Sequence, residues 1–407
     1  MSCLIIKNDG IGDLILASGL ISAVGKFFDG KVDLVTCTEN RELAEGIEPL
    51  REVFYCSRDS MKLSTARHTF SRIWQVGRKY APQMPESDKQ VMRTLSKRRY
   101  DVIICLRRFV RQSTLVIMQQ VDGLRKYCEC QFSSNADLEM MEYSMQGWQL
   151  YEGPYTMLSE LDVNKSFLEK ILAAEFDHYP NLSYCHRQTA ALPTQKIALG
   201  LSGSGSALWP YGNWIELAMR LARAGWRLVL FGGKDVTDLG EKIADKVPAA
   251  ENCVGRLSWR QTAEGLSDCR GYIGNDTGLS HFASLILEKC LIIMGGGTFR
   301  RFFPWPAADN QYLIFHGLDC FDCTWCCKYR DRFCLSLVRP AEVEQYFAEV
   351  MRGGAPGERD LNSRNEQYQV VWKHGRRREQ MLVRSEDSGK PALRRVDQPM
   401  ARAGENS

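Results

Sequence analysis

Residues 274–281 read Gly-Asn-Asp-Thr-Gly-Leu-Ser-His, which sets a carboxylate (Asp276), a hydroxyl (Thr277), a flexible backbone position (Gly278) and an imidazole (His281) within one short stretch. An apolar run at 271–273 precedes them and a helical stretch at 282–287 follows, so the segment reads as a strand end, a sharp turn and a helix start. Small residues at a helix start leave backbone N–H groups pointing outward. Together with the helix dipole they favour an anionic group such as a pyrophosphate. Thr277, Gly278 and Leu279 then offer N–H groups, His281 a side-chain donor, and Asp276 a contact beside the ligand. The same residues also suit an ordinary Asp or Thr N-cap with His281 satisfied inside the fold.

A second turn of this kind opens the chain. Residues 3–7 form a short apolar strand, 8–12 a glycine-rich turn, and 13–28 a helix with apolar positions at Leu14, Ala17, Ile21, Val24 and Phe28. A dinucleotide fingerprint needs a third glycine three positions after Gly12, where Ile15 stands, so a nicotinamide-cofactor site is poorly supported. Asp13 would lie at the carboxyl edge of a parallel sheet, where open α/β folds place their ligands. It could equally be a plain first-turn acid favoured by the helix dipole.

Gly12-Asp13 after an N-terminal strand, paired with Asp276-Thr277-Gly278-Leu279-Ser280-His281, resembles glycosyltransferase family 9, the bacterial enzymes typified by the lipopolysaccharide heptosyltransferases. Weaker blocks follow in the family's order: the Tyr100-Asp101 strand, Trp209-Pro210 with Trp214, Phe231-Gly232-Gly233, and cysteines at 320, 323, 327 and 334. The likeness spans roughly residues 1–350. It implies a GT-B fold, two Rossmann-like α/β domains facing across a cleft, and an inverting transfer of a sugar, a heptose from ADP-heptose in the type members, to a cell-envelope glycan. A sugar-nucleotide epimerase of the same fold and a non-catalytic sugar-nucleotide-binding protein are the alternatives.

Such a transfer must neutralise charge growing on a diphosphate leaving group, deprotonate the acceptor hydroxyl and exclude water. Asp13 is the candidate general base. Gly12, Asp276, Thr277, Gly278, Leu279 and His281 are the expected donor-binding residues, joined by Ser202, Ser204 and Ser206 as a second cradle of N–H and hydroxyl groups. Asp235 stands where the family often has an acid near the nucleotide ribose; a surface helix cap is the other reading. The chain contains no Asp-x-Asp, so a route without metal or other cofactor is expected. Where these enzymes usually carry a lysine, two positions before Trp209, this chain has Ala207, and Arg300 or Arg301 could supply the missing cation.

The positioning elements repeat along the chain. Strands at 31–37, 52–56 and 101–106 alternate with helices in a first domain of residues 1–190, and the pattern restarts in a second domain at 195–352 with strands at 196–202, 227–231, 271–275 and 290–294. Periodicity lapses around 179–181 and 192–194, the expected linker. Within the first domain a basic helical insert at about 58–100, with Lys62, Arg67, Arg72, Arg78 and Lys79 beside an apolar stripe, suits either a solvated elaboration or peripheral contact with an anionic membrane. Residues 353–407 are polar, and little regular structure is expected there beyond a short piece at 368–372.

Of 407 residues 44% are apolar, enough for two cores. A net charge of +4 argues against nucleic acid as a partner. Lys7, Asp9 and Asp13 interrupt the N-terminal apolar run, so no signal peptide is read, and the expected setting is cytoplasmic, at most peripheral on the membrane's inner face. The expected partners are a nucleotide-sugar donor and a lipid-linked, anionic glycan acceptor. Among 15 cysteines most sit singly in apolar strands and read as reduced core residues. The group at Cys320, Cys323, Cys326, Cys327 and Cys334 could hold a metal or form a reduced or disulfide-linked loop, and the family likeness implies a structural role.

Overall fold

The computed structural model describes residues 1–57, 85–107, 112–129, 147–151, 159–188, 194–203, 208–329, 331–362, 368–372 and 380–384. Its first sheet contains β1 (Cys3–Lys7), β2 (Val32–Cys37), β3 (Glu52–Cys56), β4 (Arg99–Cys105), β5 (Asp122–Glu129) and β6 (Trp148–Tyr151). All pairs are parallel, in the order β3-β2-β1-β4-β5-β6. The connecting helices are α1 (Ile11–Phe27), α2 (Arg41–Ala44), α3 (Glu86–Leu95) and α4 (Gln112–Gln120), with α5 (Glu160–Leu172) following the sheet.

The second sheet holds β7 (Lys196–Gly200), β8 (Arg227–Phe231), β9 (Glu251–Asn252), β10 (Tyr272–Asn275), β11 (Cys290–Ile293), β12 (Gln311–Phe315) and β13 (Gly357–Asp360). Its order, β13-β12-β11-β10-β7-β8-β9, repeats that of the first sheet with one strand added. Around it lie α6 (Tyr211–Arg223), α7 (Thr237–Lys246), α8 (Trp259–Ser267), α9 (Gly278–Ser284), α10 (Phe333–Ser336) and α11 (Pro340–Met351). Two doubly wound α/β units thus face each other, as expected.

Central strands such as β1 and β11 are buried along their whole length, which is why they read as apolar runs and not as alternating ones. α1 was expected to bury one stripe. It buries Ile15, Leu16 and Leu20 as well, because it packs on its own sheet with one side and on α9 of the second domain with the other. In the second sheet Gly200 and Gly274 are register partners. A Cβ on either would stand about 2 Å from the Tyr272 hydroxyl, so glycine is required for that ring to cross both strands. The hydroxyl lies 2.9 Å from Ser280 Oγ and helps seat the start of α9.

Several elements differ from the sequence reading. β5, β6 and β12 were not expected; β5 is largely exposed and carries Arg125 and Lys126, which hide the apolar signal of a strand. The second sheet does not stop at 352, because β13 pairs with β12 through backbone bonds that need no apolar side chains. In the same polar segment, β14 (Tyr368–Trp372) pairs antiparallel with β15 (Gln380–Arg384). Of the basic insert only α3 and its flanks are described; Lys62, Arg67, Arg72, Arg78 and Lys79 lie outside the described residues. Residues 173–188 carry neither helix nor strand, in keeping with a connection between the domains. No described helix is long and apolar enough to cross a membrane.

Candidate functional site

In a doubly wound sheet the strand order reverses between two neighbouring central strands, and loops leaving their carboxyl ends diverge to open a crevice. Here those pairs are β1/β4 and β7/β10. Residues 8–13 leave β1, Arg107 follows β4, Ser202 follows β7, and Asp276 to Gly278 leave β10. Both sequence motifs therefore sit at the reversal points of their sheets, and the two sheets turn these points toward each other.

The motifs meet in direct contact. A Cβ on Gly278 would lie 2.8 Å from Ile11 Cγ2 and 3.1 Å from the Gly12 nitrogen, and one on Gly12 would lie 3.1 Å from His281 Cδ2. Any larger residue at Gly278 would push the domains apart. Beside this contact Asp13 serves partly as the first-turn acid expected of it, since its Oδ2 accepts from the Gly10 N–H at 3.2 Å. The Thr N-cap alternative fails in its main bond: Thr277 occupies the cap position, yet its hydroxyl makes no cap hydrogen bond. Thr277 Oγ1 and Asp9 Oδ1 are both buried without a hydrogen-bond partner. Each such atom costs about 1–3 kcal/mol, a cost that a polar ligand at this junction would remove. The first helical bonds of α9 run from Ser280 and His281 to the Thr277 carbonyl, so the N–H groups of Gly278 and Leu279 precede that ladder.

The electrostatics are dominated by carboxylates. Asp9, Asp13, Glu160 and Asp276 share the region with Lys7 and Arg301. Burial, then the charge of Asp9, pushes Asp13 up to about 6 against the pull of Lys7 and Arg301, with Glu160 adding to the rise. Burial likewise raises Asp276 to about 7, although Thr298 Oγ1 donates to its Oδ2 at 3.3 Å. Lys7 is fully buried and bridges Asp9 at 3.0 Å; burial alone would lower its ammonium, but Asp9, Asp13 and Glu160 hold it above the ordinary lysine value. His281 is 3% exposed and stacks on Phe303 with centroids 4.1 Å apart. Its Nδ1 accepts from Trp305 Nε1 at 3.1 Å, so the ring proton resides on Nε2, next to the edge that faces Gly12. Burial depresses its pKa to about 3, which makes it a neutral donor.

Asp13, Gly12, Asp276, Thr277, Gly278 and His281 are thus brought together. Leu279 contributes backbone alone, its side chain being buried in the core. Ser202 is near-surface, and its Oγ accepts from the Gly233 N–H at 3.1 Å, tying the ends of β7 and β8. Asp235 is exposed at the end of β8. Ser204, Ser206 and Ala207 lie outside the described residues. No disulfide is formed among the described cysteines, and no group of ligating side chains among the described residues is arranged to hold a metal.

Sequence reasoning missed Arg107, Asp9 and Glu160. Arg107, buried, donates through Nη1 to the Asn8 carbonyl at 2.7 Å and to Asn8 Oδ1 at 2.9 Å, which fixes the turn ahead of Asp13. Its position just past β4 was the available signal. Glu160 carried none, because its significance arises from Arg301 in the other domain.

Comparison with known proteins points one way. A model of glycosyltransferase family 9 (heptosyltransferase) matches residues 89–324. The lipooligosaccharide heptosyltransferase 2 of Haemophilus influenzae is 28% identical over 136 residues, which is 31% of this chain and 39% of that protein. The lipopolysaccharide heptosyltransferase 2 of Escherichia coli is 27% identical over 111 residues, 26% of this chain and 31% of the relative. The chain therefore spans two fifths or less of the length of these curated relatives. Among solved structures, a family 9 glycosyl transferase from Veillonella parvula superposes with a TM-score of 0.63 at 14% identity, covering 86% of this chain and 96% of that one. An Escherichia coli heptosyltransferase solved with ADP-2-deoxy-2-fluoro heptose gives 0.59 at 17% identity, covering 86% and 100%. At such identities these structures establish the shared GT-B fold.

Proposed function

The chain belongs to glycosyltransferase family 9, and on that premise we propose that it transfers a sugar from a nucleoside-diphosphate donor to a hydroxyl of a cell-envelope glycan, with inversion and without a metal ion. By likeness to its relatives the sugar is a heptose carried by ADP, and the acceptor a lipid-linked, anionic lipopolysaccharide precursor. The observation that carries this reading is the apposition of Asp13, from the reversal point of one sheet, with the β10–α9 turn from the reversal point of the other.

In this mechanism the Asp13 carboxylate takes the proton of the acceptor hydroxyl as its oxygen attacks the anomeric carbon. The bond from that carbon to the phosphate oxygen breaks on the opposite face, and the diphosphate leaves toward Gly278 and Leu279. A carboxyl near pH 6 is a stronger base than an ordinary aspartate yet is mostly ionised at neutral pH, which suits general-base work. Asp276, near 7, keeps a proton through part of the neutral range and so meets phosphate with less repulsion than a full carboxylate. His281 offers its Nε2 proton beside the same turn.

The test is a product assay with purified protein, ADP-, GDP- and UDP-sugars and a truncated lipopolysaccharide acceptor. Acceptor-dependent glycoside with inverted configuration, formed equally in the presence of a chelator, is expected. Epimerised nucleotide sugar without glycoside would reassign the protein as an epimerase. Donor binding without turnover would make it a binding protein, a reading to which Ala207 lends some weight.

A further inference from the structure

Two adjacent arginines leave the loop after β11 in opposite directions, because Arg300 adopts a left-handed backbone (φ 62°) that turns the chain between them. Arg300 points outward and pairs with Glu358 at 3.0 Å, its side chain 53% exposed. Arg301 points into the domain junction. Its carbonyl accepts from the Glu160 N–H at 2.8 Å, and its Nε donates to Glu160 Oε2 at 3.1 Å. Glu160 is 2% exposed and belongs to the opposite domain, at the first residue of α5. Capping does not explain it, since Ser159 already caps that helix through the Asp162 N–H. Burying a carboxylate is costly unless its charge is used. Here the use is to anchor one edge of a guanidinium and so set the plane of the whole fork. The Arg301 N–H donates to the Thr298 carbonyl at 3.1 Å and Thr298 Oγ1 donates to Asp276 Oδ2 at 3.3 Å, which seats Arg301 beside the second motif, where its charge opposes the rise of both Asp13 and Asp276. Ala207, where the family likeness expects a lysine, brings no charge.

We propose that Arg301 is the cation that meets the donor's diphosphate, and that Glu160 is the positioning residue that holds it there from across the domain junction. The inference rests on the transferase reading above. It differs from a purely structural clip in one measurable way: loss of the pair must weaken recognition of the second phosphate and not of the nucleoside.

Isothermal titration of the full chain with ADP, GDP and UDP, and with the matching monophosphate of whichever binds, gives a diphosphate-to-monophosphate affinity ratio. In Arg301→Ala and Glu160→Ala this ratio is expected to fall about tenfold or more, the size of a charge-assisted hydrogen bond. The double variant should fall no further than Arg301→Ala alone. Arg300→Ala should stay within about twofold of wild type. Glu160→Gln keeps an acceptor for Nε and is expected to retain most of the ratio, which separates positioning from a folding defect. An unchanged ratio in Arg301→Ala or Glu160→Ala, or equal losses for diphosphate and monophosphate, overturns the proposal and leaves the pair a structural clip. If wild type binds no nucleoside diphosphate, the transferase reading falls first and the proposal with it; if it binds one and the variants keep the ratio, the proposal alone falls.

Discussion

Asp33 and Asp13 belong to the same α/β domain, the first within β2 at one edge of its sheet and the second in the first turn of α1 at the other, and their surroundings drive them apart. Asp33, at the amino end of β2, accepts from Arg51 at 2.8 and 2.6 Å, from Arg98 at 2.8 Å and from the Tyr100 hydroxyl at 2.8 Å. Burial would raise its carboxyl, but these donors outweigh burial and hold it below the usual value. Asp13, at the carboxyl end of β1, has the Gly10 N–H and faces Asp9 and Glu160, so burial prevails and the carboxyl rises to about 6. Burial sets the size of the stake, and partners decide its sign. The carboxylate with donors on every side is used for stability. The one left among like charges keeps a basicity that chemistry can use.

Replacing Asp13 with Asn is expected to have the largest effect, lowering kcat by about 10²–10⁴-fold while donor affinity changes little, because a base acts mainly in the transition state. Rapid-quench turnover and donor titration check this, and a variant retaining most of its rate removes Asp13 from the mechanism. The same substitution should stabilise the fold at alkaline pH. A carboxyl whose folded pKa is raised binds more protons in the native than in the unfolded state between about pH 4 and 6, so wild-type stability falls as pH rises through that window. The variant escapes this loss, by roughly 1–3 kcal/mol at pH 8, and the gain should vanish near pH 4. Urea unfolding at the two pH values reads the difference.

Asp33→Asn inverts that pattern. Stability should drop by about 2–3 kcal/mol at neutral pH, somewhat less than for a fully buried broken pair, because Arg51 and Arg98 keep 42% and 30% of their side chains exposed and remain partly hydrated. The folded pKa is depressed here, so the contribution is complete above the unfolded carboxyl value and is lost as pH falls through the folded one. The difference between wild type and variant should therefore close on acidification, with kcat of the folded protein unaltered. A rate loss matching that of Asp13→Asn would erase the distinction between the two ends of the sheet.

His281 lies between these cases, buried with Trp305 Nε1–H donating to its Nδ1 and placed where it can serve both fold and proposed site. His281→Ala should cost about 1–3 kcal/mol, from the stack on Phe303 and the orphaned Trp305 N–H, and should weaken donor binding and rate together. Because the ring stays neutral down to about pH 3, the loss in donor affinity should be flat between pH 5 and 8. Calorimetric donor titrations across that range test it; unchanged donor affinity would leave His281 a core residue.

Much of the architecture was legible in contiguous residues. Strand, glycine turn and helix at 3–28 and again at 271–287 depend on periodicity and backbone freedom that act within a few positions, and both were read in the right order, although the second helix runs Gly278–Ser284 and not 282–287. The repeat of that pattern was enough for two parallel α/β units, and the resemblance of the residues in the two turns implied a family. Strands that join a sheet by backbone pairing alone, β5 with its exposed basic residues and β13 in a polar tail, left no such trace. The chemical character of the candidate site was not written locally either. Asp13 acquires its basicity from burial and then from Asp9, with Glu160 adding to the rise, and Glu160 acquires its meaning from Arg301, 141 residues away. Asp235, another acid the sequence offered for donor binding, is exposed, while Leu279 turns its side chain into the core. Propensity and pattern are properties of neighbours along the chain, whereas desolvation and Coulomb energy are properties of neighbours in space. Only the folded arrangement could bring the ends of β1, β4, β7 and β10 together and so decide which of the chain's many acids is held at a useful pKa.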